Sequence, residues 1–396
     1  GAHAVAYSHD GRNVYTGGYI DDAIGVYAAP PQSYAVTVAE SQTVSDIDFG
    51  WYRFAPLNNA PILAAIGDQS IGEGPWSLIV SASDYDPGDT LTFSLGAGAP
   101  VGMSIAPGPG ARQATITWTP GDNVLVSPNP LSITVIVTDN GTGLLSDSET
   151  LQLTVVNTPP TAGIAVTSPG IPAFKAGVQQ NFTLTATDPA AADQAAGFTF
   201  NIDWDGNGTF DQTVVGASGV AVNRTFNTAG SINIGVRATD KDGGLSTTTT
   251  YTVHVYSLVQ VGANVEWTGS GADDTVEFHQ TGPSAVEVRT LKVGGFTTNF
   301  IENFAGVTGR VIAKGGRGND VLNAAALTTI PVTFEGGQHH DTLTGGAADD
   351  ILRGEFVGAV GDGAEGNDSI IGGAGNDLIE GDGLEGGNDT LRGGIG

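Results

Sequence analysis

The chain has 396 residues, of which 60 are glycine, none is cysteine and one is methionine, and this length predicts two to four domains. Acidic residues outnumber basic residues 42 to 14, and the net charge of −28 argues against nucleic acid and anionic membranes as partners. The absence of cysteine excludes disulfides but is compatible with secretion, and no apolar run is long enough to predict membrane insertion.

Alternating apolar and polar residues dominate the chain, for example in SITVIVTD, LQLTVVN and TYTVHVY. This period of two, rich in Val, Ile and Thr, predicts half-buried strands. Clusters of Pro and Gly separate these segments at roughly the spacing of β-sandwiches. We therefore expect an all-β chain, divided as follows: a partial β segment over 1–54, two tandem Ig-like sandwiches over 57–157 and 158–257, a β-solenoid lead-in over 258–314 and a parallel β-roll over 315–396.

The first 54 residues contain two short strand patterns. AVAYSHDGRNVYTGGYIDDAIGVYA, residues 4–28, resembles a strand-turn-strand piece of a β-propeller blade. YAVTVAESQTVSDIDFGWYRF, residues 34–54, resembles the closing strands of SdrD B-like surface repeats. A single blade cannot close a propeller, so we expect these strands to belong to a domain that is cut, or to pack against a neighbour.

The unit at 57–157 contains SASDYDPGDTLTFSLGAGAPVGMSI and VTDNGTGLLSDSETLQLTV, and it resembles the cadherin-like immunoglobulin family of bacterial surface proteins. One strand-end loop crowds three carboxylates, and two further acids are candidates to join them: Asp84, Asp86 and Asp89, with Glu73 and Asp139. The resemblance implies a calcium site there. The alternative is a solvated loop of turn-forming aspartates, and the linker VVNTPP lacks the aspartates of cadherin linkers.

The unit at 158–257 contains NIDWDGNGTFDQTV and NRTFNTAGSINIGVRATDKDGG, and it resembles the PKD (polycystic kidney disease) repeat. Its loop matches the first half of an EF-hand, but Val214 stands at the twelfth position and no flanking helices are predicted. We reject a true EF-hand and keep a small hairpin calcium site as a candidate, with these residues: Asp203, Asp205, Asn207 and Asp211. Trp204 is interpreted as a core residue.

A nine-residue period occupies the carboxyl-terminal part of the chain, with copies beginning at 315, 336, 345, 363 and 372 and a twelve-residue variant at 381–392. The insert at 354–362 is also nine residues long and keeps the phase, and GSGADDTVE at 269–277 is a degenerate copy. The final GGIG resembles the start of a further repeat, so we expect the chain to be part of a longer protein.

Each shared position has a separate physical role. The sixth residue is aspartate and the eighth is aliphatic, while the preceding glycines permit tight turns with inward carbonyls. Stacked coils lie about 4.8 Å apart, and two bare carboxylates at that distance repel by roughly 3 kcal/mol at an effective dielectric constant of 20. Burying one leucine offsets only about 1.5–3 kcal/mol, so we expect the stack to need calcium, whose ligands are carbonyl and carboxylate oxygens.

The array resembles the RTX (haemolysin-type) calcium-binding nonapeptide family, G-G-x-G-x-D-x-aliphatic-x. The resemblance implies a parallel β-roll in an exported protein, with calcium bound between turns by the sixth-position aspartates and turn carbonyls. Carried over residue by residue, the metal site comprises Asp320, Asp341, Asp350, Asp368, Asp377 and Asp389, with glycines Gly315, Gly318, Gly372 and Gly375. The copies with Asp341 and Asp350 depart from the motif, and Asp274 lacks a following copy for about 40 residues.

No catalytic motif of a metalloprotease, α/β-hydrolase, P-loop or cysteine enzyme is present in the sequence. His339, His340 and Asp341 could bind zinc, but a substituted repeat turn is the simpler interpretation. We predict a secreted or cell-surface, non-enzymatic protein with calcium as its cofactor and with other surface proteins, polysaccharide or its own copies as candidate partners. Two alternatives stay open: an accessory region of a large exported hydrolase, and a subunit of an extracellular fibre or surface layer.

Overall fold

The computed structural model describes residues 58–120, 129–168, 171–355, 366–381 and 387–395, and the backbone of three earlier strands. Within these residues the chain is all-β apart from one short helix, so the predicted fold class is confirmed. The segment predicted as strands over 34–54 and most of the insert at 354–362 lie outside the described residues.

Residues 1–57 form a compact unit of their own. It contains three antiparallel strands that pair in chain order: β1 (Ala4–Tyr7), β2 (Asn13–Gly17) and β3 (Ile24–Ala28). These strands fall within the stretch where strand-turn-strand structure is predicted. The assignment of this stretch to a domain stays a prediction.

The first sandwich has eight strands within residues 58–120 and 129–157. They are β4 (Ile62–Leu63), β5 (Gln69–Ile71), β6 (Trp76–Ser83), β7 (Thr92–Leu95), β8 (Ser104–Pro107), β9 (Gln113–Trp118), β10 (Leu131–Thr138) and β11 (Ser146–Val155). One sheet has the order β5-β11-β10-β7 and the other β4-β6-β9-β8. The inward alternate residues of both sheets, such as Ile116, Val135 and Leu151, are fully buried and form one core.

In its described residues, 158–168 and 171–261, the second sandwich has eight strands and a helix. They are β12 (Thr161–Ser168), β13 (Ala173–Lys175), β14 (Gln179–Thr187), α1 (Ala191–Ala196), β15 (Phe198–Asp203), β16 (Gln212–Gly216), β17 (Val220–Thr225), β18 (Gly230–Thr239) and β19 (Thr249–Val261). Strands β12, β14 and β17 form one sheet, and β16, β15, β18 and β19 lie in the other. Trp204 is buried in this core against Phe182 and Phe226, as its interpretation as a core residue requires.

The strands of the C-terminal stack, described over 264–355, 366–381 and 387–395, pair mostly in parallel, apart from an antiparallel hairpin over residues 285–305. They are β20 (Asn264–Thr268), β21 (Thr275–Gly282), β22 (Ala285–Val293), β23 (Phe296–Ala305), β24 (Val311–Arg317), β25 (Val321–Ala326), β26 (Val332–Gln338), β27 (Thr342–Thr344), β28 (Ile351–Arg353), β29 (Ser369–Ile371), β30 (Leu378–Glu380) and β31 (Thr390–Arg392). Two parallel series result, β20-β24-β26-β28-β30 and β21-β25-β27-β29-β31, and the chain alternates between them.

Strand β19 joins the second sandwich to the C-terminal stack. Its first half pairs with β18 and its second half, from Ser257 to Val261, pairs with β20. The predicted boundary between residues 257 and 258 therefore falls inside one strand. Tyr256 and Leu258 of this strand belong to the buried cluster that continues through Trp267 into the stack, so the stack begins on a strand that is already anchored.

Candidate metal centre

Aspartates of successive coils form a hydrogen-bonded column at one edge of the C-terminal stack. The backbone N–H of each aspartate donates to Oδ1 of the aspartate one coil further along, at 2.8–3.0 Å. The members of this first aspartate column are Asp274, Asp320, Asp341, Asp368 and Asp389. Because Oδ1 is used in the ladder, Oδ2 is the carboxylate oxygen that faces the glycine turns.

A second aspartate column lies at the opposite edge. The N–H of Val332 donates to Asp350 Oδ1 at 2.8 Å, and the N–H of Asp350 donates to Asp377 Oδ1 at 3.1 Å. From Asp320 onward, rungs that do not cross the insert join residues 18 or 21 positions apart, and the rung that crosses it in each column spans 27. The first rung, from Asp274 to Asp320, spans 46 residues. The step of 27 exceeds the 18-residue coil by one nine-residue period, so the insert keeps the phase, as predicted.

At four of the described repeats, the first glycine lies where Oδ2 and a carbonyl of the next coil converge: Gly269, Gly315, Gly336 and Gly345. A Cβ on Gly315 would lie 2.3 Å from Asp320 Oδ2 and 2.4 Å from the carbonyl oxygen of Gly336. At the other edge, a Cβ on Gly345 would lie 2.1 Å from the Gly372 oxygen and 2.6 Å from Asp350 Oδ2. Carboxylate and carbonyl oxygens therefore converge at the space a side chain would fill, which is the oxygen set of a calcium site.

The fourth-position glycines have a different role. Gly318 and Gly375 have φ angles of +110° and +115°, and a Cβ on Gly318 would lie 2.4 Å from the Ala272 backbone of the neighbouring coil. Only glycine adopts this backbone at low cost, and only glycine fits the contact. Gly315 and Gly372, in contrast, are required by the close approach of the aspartates.

The aspartate columns are buried, and some of their oxygens have no hydrogen-bond donor. Asp320, Asp341, Asp350 and Asp368 are at most 2% exposed. Among the described residues, no hydrogen bond reaches Oδ2 of Asp320 or Asp377. Burial, followed by the charges of Asp274 and Asp341, raises the pKa of Asp320 to about 9. A buried carboxylate without a partner resists ionisation, and a bound cation would supply the missing partner.

Asp274 stacks in the first column although about 40 residues of other sequence follow it. The reason is that β22 and β23 fold back as an antiparallel hairpin, so β21 can pair directly with β25. Its oxygens accept hydrogen bonds from Ser270 and Gly294, which makes Asp274 an end cap of the column. Burial raises its pKa to about 6. In the sequence, the degenerate copy GSGADDTVE at 269–277 is the feature that indicated this position.

Residues at the fifth repeat position form a second hydrogen-bonded ladder, which includes His340. Asp273, Asn319, His340 and Asn367 each accept a hydrogen bond from the N–H of the equivalent residue in the next coil. His340 Nδ1 accepts from Asn367 at 2.7 Å, so this imidazole takes the place of an asparagine amide. His339 occupies the glycine position with a φ of +82°. The pair thus has the geometry of a substituted turn.

The eighth-position residues form the inner lining of the stack. The first five, Val276, Leu322, Leu343, Leu352 and Ile370, are fully buried. Ile379 is half-buried and Leu391 is exposed. These five repeats therefore each supply one aliphatic side chain to a narrow core, whose burial offsets part of the backbone entropy.

In the first sandwich, Asp84, Asp86 and Asp89 lie together, with a carboxylate oxygen from each within 4.8 Å of the others. Burial raises the pKa of Asp89, and the charges of Asp139, Asp84 and Asp86 add to this shift. Asp139 lies near enough for its charge to act on Asp89, and its membership of a calcium site stays a prediction. Glu73 does not join this cluster, because its backbone N–H and Oε2 hydrogen-bond to Thr158 at the opposite end of the sandwich.

The loop at 203–211 brings Asp203, Asp205 and Asp211 within the same distance limit. It lies between strands β15 and β16 rather than between helices, as expected for a hairpin and not an EF-hand. The oxygens of Asp203 accept from the N–H groups of Gly206 and Gly208, both at 2.8 Å. Burial alone would raise its pKa, but these hydrogen bonds lower it.

The side chain of Asn207 points within the loop, where its amide donates to Asp205 and its oxygen accepts from Thr209. Asp211 accepts from the Trp204 N–H at 2.8 Å. The loop thus holds its own oxygens by hydrogen bonds. Buried carboxylate oxygens without a hydrogen bond occur in the aspartate columns, and none is found in this loop among the described residues.

Two family models match parts of the chain. Residues 60–156 match the family described as "Putative Ig domain". Residues 296–326, 333–356 and 362–396 match the RTX calcium-binding nonapeptide repeat. The first match lies within the predicted sandwich at 57–157, and the second covers most of the predicted β-roll and begins at residue 296, inside the predicted lead-in. The RTX repeat is a calcium-binding motif, so calcium is confirmed as the cofactor of the repeat region.

Solved structures with local likeness are β-sandwich modules. The PKD domain of an M14-like peptidase from Thermoplasmatales archaeon SCGC AB-540-F20 is 20% identical, with 25% of this chain and 98% of that chain covered and a TM-score of 0.21. The fibronectin(III)-like modules of Clostridium thermocellum CbhA are 14% identical, with 50% and 94% covered and a TM-score of 0.21. No curated protein matches the chain.

Among the described residues, no helix is long and apolar enough to cross a membrane. The two family matches suggest a calcium-binding extracellular protein without indicating a catalytic domain. The chain combines an Ig-like domain over residues 60–156 with RTX calcium-binding nonapeptide repeats in its C-terminal stack.

Proposed function

We propose that this chain is an extracellular structural or adhesion protein whose C-terminal stack is folded and stiffened by calcium. The ligands in this proposal are Oδ2 atoms of the aspartate columns and carbonyls of the first glycines of neighbouring repeats. The observation that supports it best is the convergence of Asp320 Oδ2 and the Gly336 carbonyl at Gly315, repeated along both edges.

The electrostatics support a folding role for the ion. Without a cation, the buried carboxylates of one column face one another, and Asp320 keeps its proton near neutral pH because its pKa is about 9. Calcium replaces that proton and turns the repulsion between coils into coordination. In proteins, extracellular calcium sites of this kind have dissociation constants of about 0.1–1 mM.

The stack is joined to the second sandwich by a continuous sheet, so stiffening can extend beyond the repeats. Strand β19 pairs with both β18 and β20, and one buried cluster runs from Tyr256 to Ile370. Calcium bound at the repeats would therefore fix the stack relative to the second sandwich. We infer a role as a spacer or adhesive rod that becomes rigid outside the cell, where calcium is abundant.

The test uses the full chain and an isosteric variant. Asp320→Asn keeps Oδ1 as the acceptor for the Asp274 N–H but removes the charge. We expect a lower calcium stoichiometry together with a more stable calcium-free state, because an amide is neutral without the proton that the Asp320 carboxyl must take up on folding at neutral pH. Hydrogen exchange of peptides from 311–353, followed during calcium titration, reports on the stack alone.

Asp273→Asn is the matched control. This residue lies in the same coils at the fifth position, where Asn319 and Asn367 perform the same hydrogen bonding. We expect its calcium response to equal that of the unmodified chain. A stack that is equally protected in chelator and in calcium would rule out the folding role.

A further inference from the structure

A second acidic cluster lies at the junction of the two sandwiches, far along the chain from the repeats. Asp188, Asp193 and Asp240 each place one carboxylate oxygen within 4.8 Å of the others, and Glu73, Asp193 and Asp242 do the same. The two groups share Asp193. They draw on the loop after β5 in the first sandwich, and on the loop after β14, helix α1 and the loop after β18 in the second.

The cluster contains buried carboxylate oxygens that lack hydrogen bonds. Asp193 is fully buried and Asp240 is 7% exposed. Among the described residues, no hydrogen bond reaches Asp193 Oδ2, Asp240 Oδ2 or Asp188 Oδ2. A Cβ on Gly244 would lie 2.2 Å from Asp240 Oδ2, so the loop closes tightly around that atom. An ionised carboxylate in such a place needs a cation or a proton.

Lysine supplies only part of the required charge. Lys241 Nζ lies 3.4 Å from Asp193 Oδ1 and 2.5 Å from Asp242 Oδ2. One ammonium group therefore faces five carboxylates across the two groups. Burial raises the pKa of Glu73, Asp188 and Asp193, in agreement with this imbalance.

The same arrangement occurs at the equivalent end of the first sandwich. Asp139 and Asp240 each follow a strand directly, and each accepts hydrogen bonds from its own loop and from an asparagine of the incoming segment. Those asparagines are Asn58, at 3.0 Å from Asp139, and Asn157, at 3.1 Å from Asp240. The second sandwich thus repeats the acidic loop set of the first, although its sequence does not carry the same spacing.

The junction cluster differs from the cluster of the first sandwich because residues of a neighbouring sandwich contact it. Glu73 is 3% exposed, and its Oε2 accepts from the N–H of Thr158 in the linker at 3.2 Å. A Cβ on Gly74 would lie 3.2 Å from Pro189, so the loop of the first sandwich touches the loop that carries Asp188. A cation bound at Asp193 would lie beside Glu73 of the first sandwich, whose carboxylate also accepts a hydrogen bond from the linker.

We propose that Asp188, Asp193 and Asp240 bind a calcium ion at the sandwich junction, and that Glu73, through the shared Asp193, ties the first sandwich to it. Carboxylate oxygens alone select a hard cation. The ion would fix the angle between the two sandwiches. This site is independent of the C-terminal stack, so either proposal can fail without the other.

The test measures bound calcium and regional hydrogen exchange in the full chain at about 1 mM free calcium, the range of extracellular sites. Asp193→Asn should lose one bound ion per chain and the calcium-dependent protection of peptides covering 72–76, 188–197 and 240–244. Peptides from 311–353 should respond to calcium as before. Asp68→Asn is the control, because Asp68 is an exposed acid of the first sandwich outside both groups.

Two results would overturn the proposal. One is an Asp193→Asn chain with the unmodified ion count and unmodified junction protection. The other needs no variant: if calcium leaves exchange at the three junction peptides of the unmodified chain unchanged, no ion is bound there. The second measurement decides the matter even if Asp193→Asn does not fold.

Discussion

Replacing Gly315 with alanine tests the calcium geometry most directly. The added methyl group would lie 2.3 Å from Asp320 Oδ2 and 2.4 Å from the Gly336 carbonyl oxygen. One of these atoms belongs to the backbone of the next coil, so a rotamer change cannot relieve both contacts. The coils must separate by about 1 Å to reach ordinary contact distance, while calcium–oxygen distances span only about 2.3–2.6 Å.

The expected cost has two parts. Overpacking of this kind costs about 1–3 kcal/mol with or without the ion. The lost ion adds its binding contribution, which is about 2.7 kcal/mol when free calcium is 100 times the dissociation constant. We therefore expect Gly315→Ala to destabilise the stack by about 1–3 kcal/mol in chelator and by about 4–6 kcal/mol in saturating calcium.

The assay is urea unfolding followed by hydrogen exchange of stack peptides, in chelator and in calcium. Gly393→Ala is the matched control, because Gly393 is also the first glycine of a repeat, but a methyl group added there would have nothing within 4 Å. We expect it to change the free energy of unfolding by less than about 1 kcal/mol in both conditions. A Gly315→Ala chain with the calcium midpoint and stoichiometry of the unmodified chain would refute the proposed ligand geometry.

Three further predictions concern the same stack. Because the pKa values of Asp274 and Asp320 are raised to about 6 and about 9, the calcium-free folded state binds protons more tightly than the unfolded chain. Its stability should therefore be fully present below about pH 4 and be lost as the pH rises through about 6 and then about 9, which urea titrations in chelator will show. His339→Gly should stabilise the stack by about 1 kcal/mol in urea unfolding, because His339 holds a φ of +82° that costs a side-chain-bearing residue roughly 1–2 kcal/mol; an unchanged midpoint would mean that its ring contacts compensate. Leu343→Ala, at a fully buried position, should cost about 2–5 kcal/mol, whereas Leu391→Ala, at the same repeat position but 47% exposed, should cost less than about 1 kcal/mol; equal costs would contradict the packed core.

The repeats and the strands were accessible from the sequence because both follow short periods. A nine-residue period places one aspartate and one aliphatic residue in each strand-turn unit, and that order alone identified Asp320 and Leu322 as an inward pair. Period-two alternation in the same way predicted the strands that became β10 and β19. Local patterns of this kind determine secondary structure and the direction of each side chain.

The partners of each aspartate depended on the tertiary structure. Asp274 and Asp320 are 46 residues apart, and only the outward hairpin of β22 and β23 lets them share a hydrogen bond. Proximity in the sequence groups Glu73 with Asp84, but the sandwich places it at the opposite end, beside Thr158. The ends of a sandwich collect loops that are distant in the chain, and no spacing rule predicts that.

The sequence by itself determined the all-β class, the sandwich and repeat composition, and calcium as the cation, because these follow from residue type and period. Only the tertiary structure decided that strand β19 is shared between sandwich and stack, and that Asp188, Asp193 and Asp240 meet at a junction. The physical reason is that burial and charge proximity arise from contacts between distant segments, and these contacts set both the pKa values and the vacant oxygens of a site.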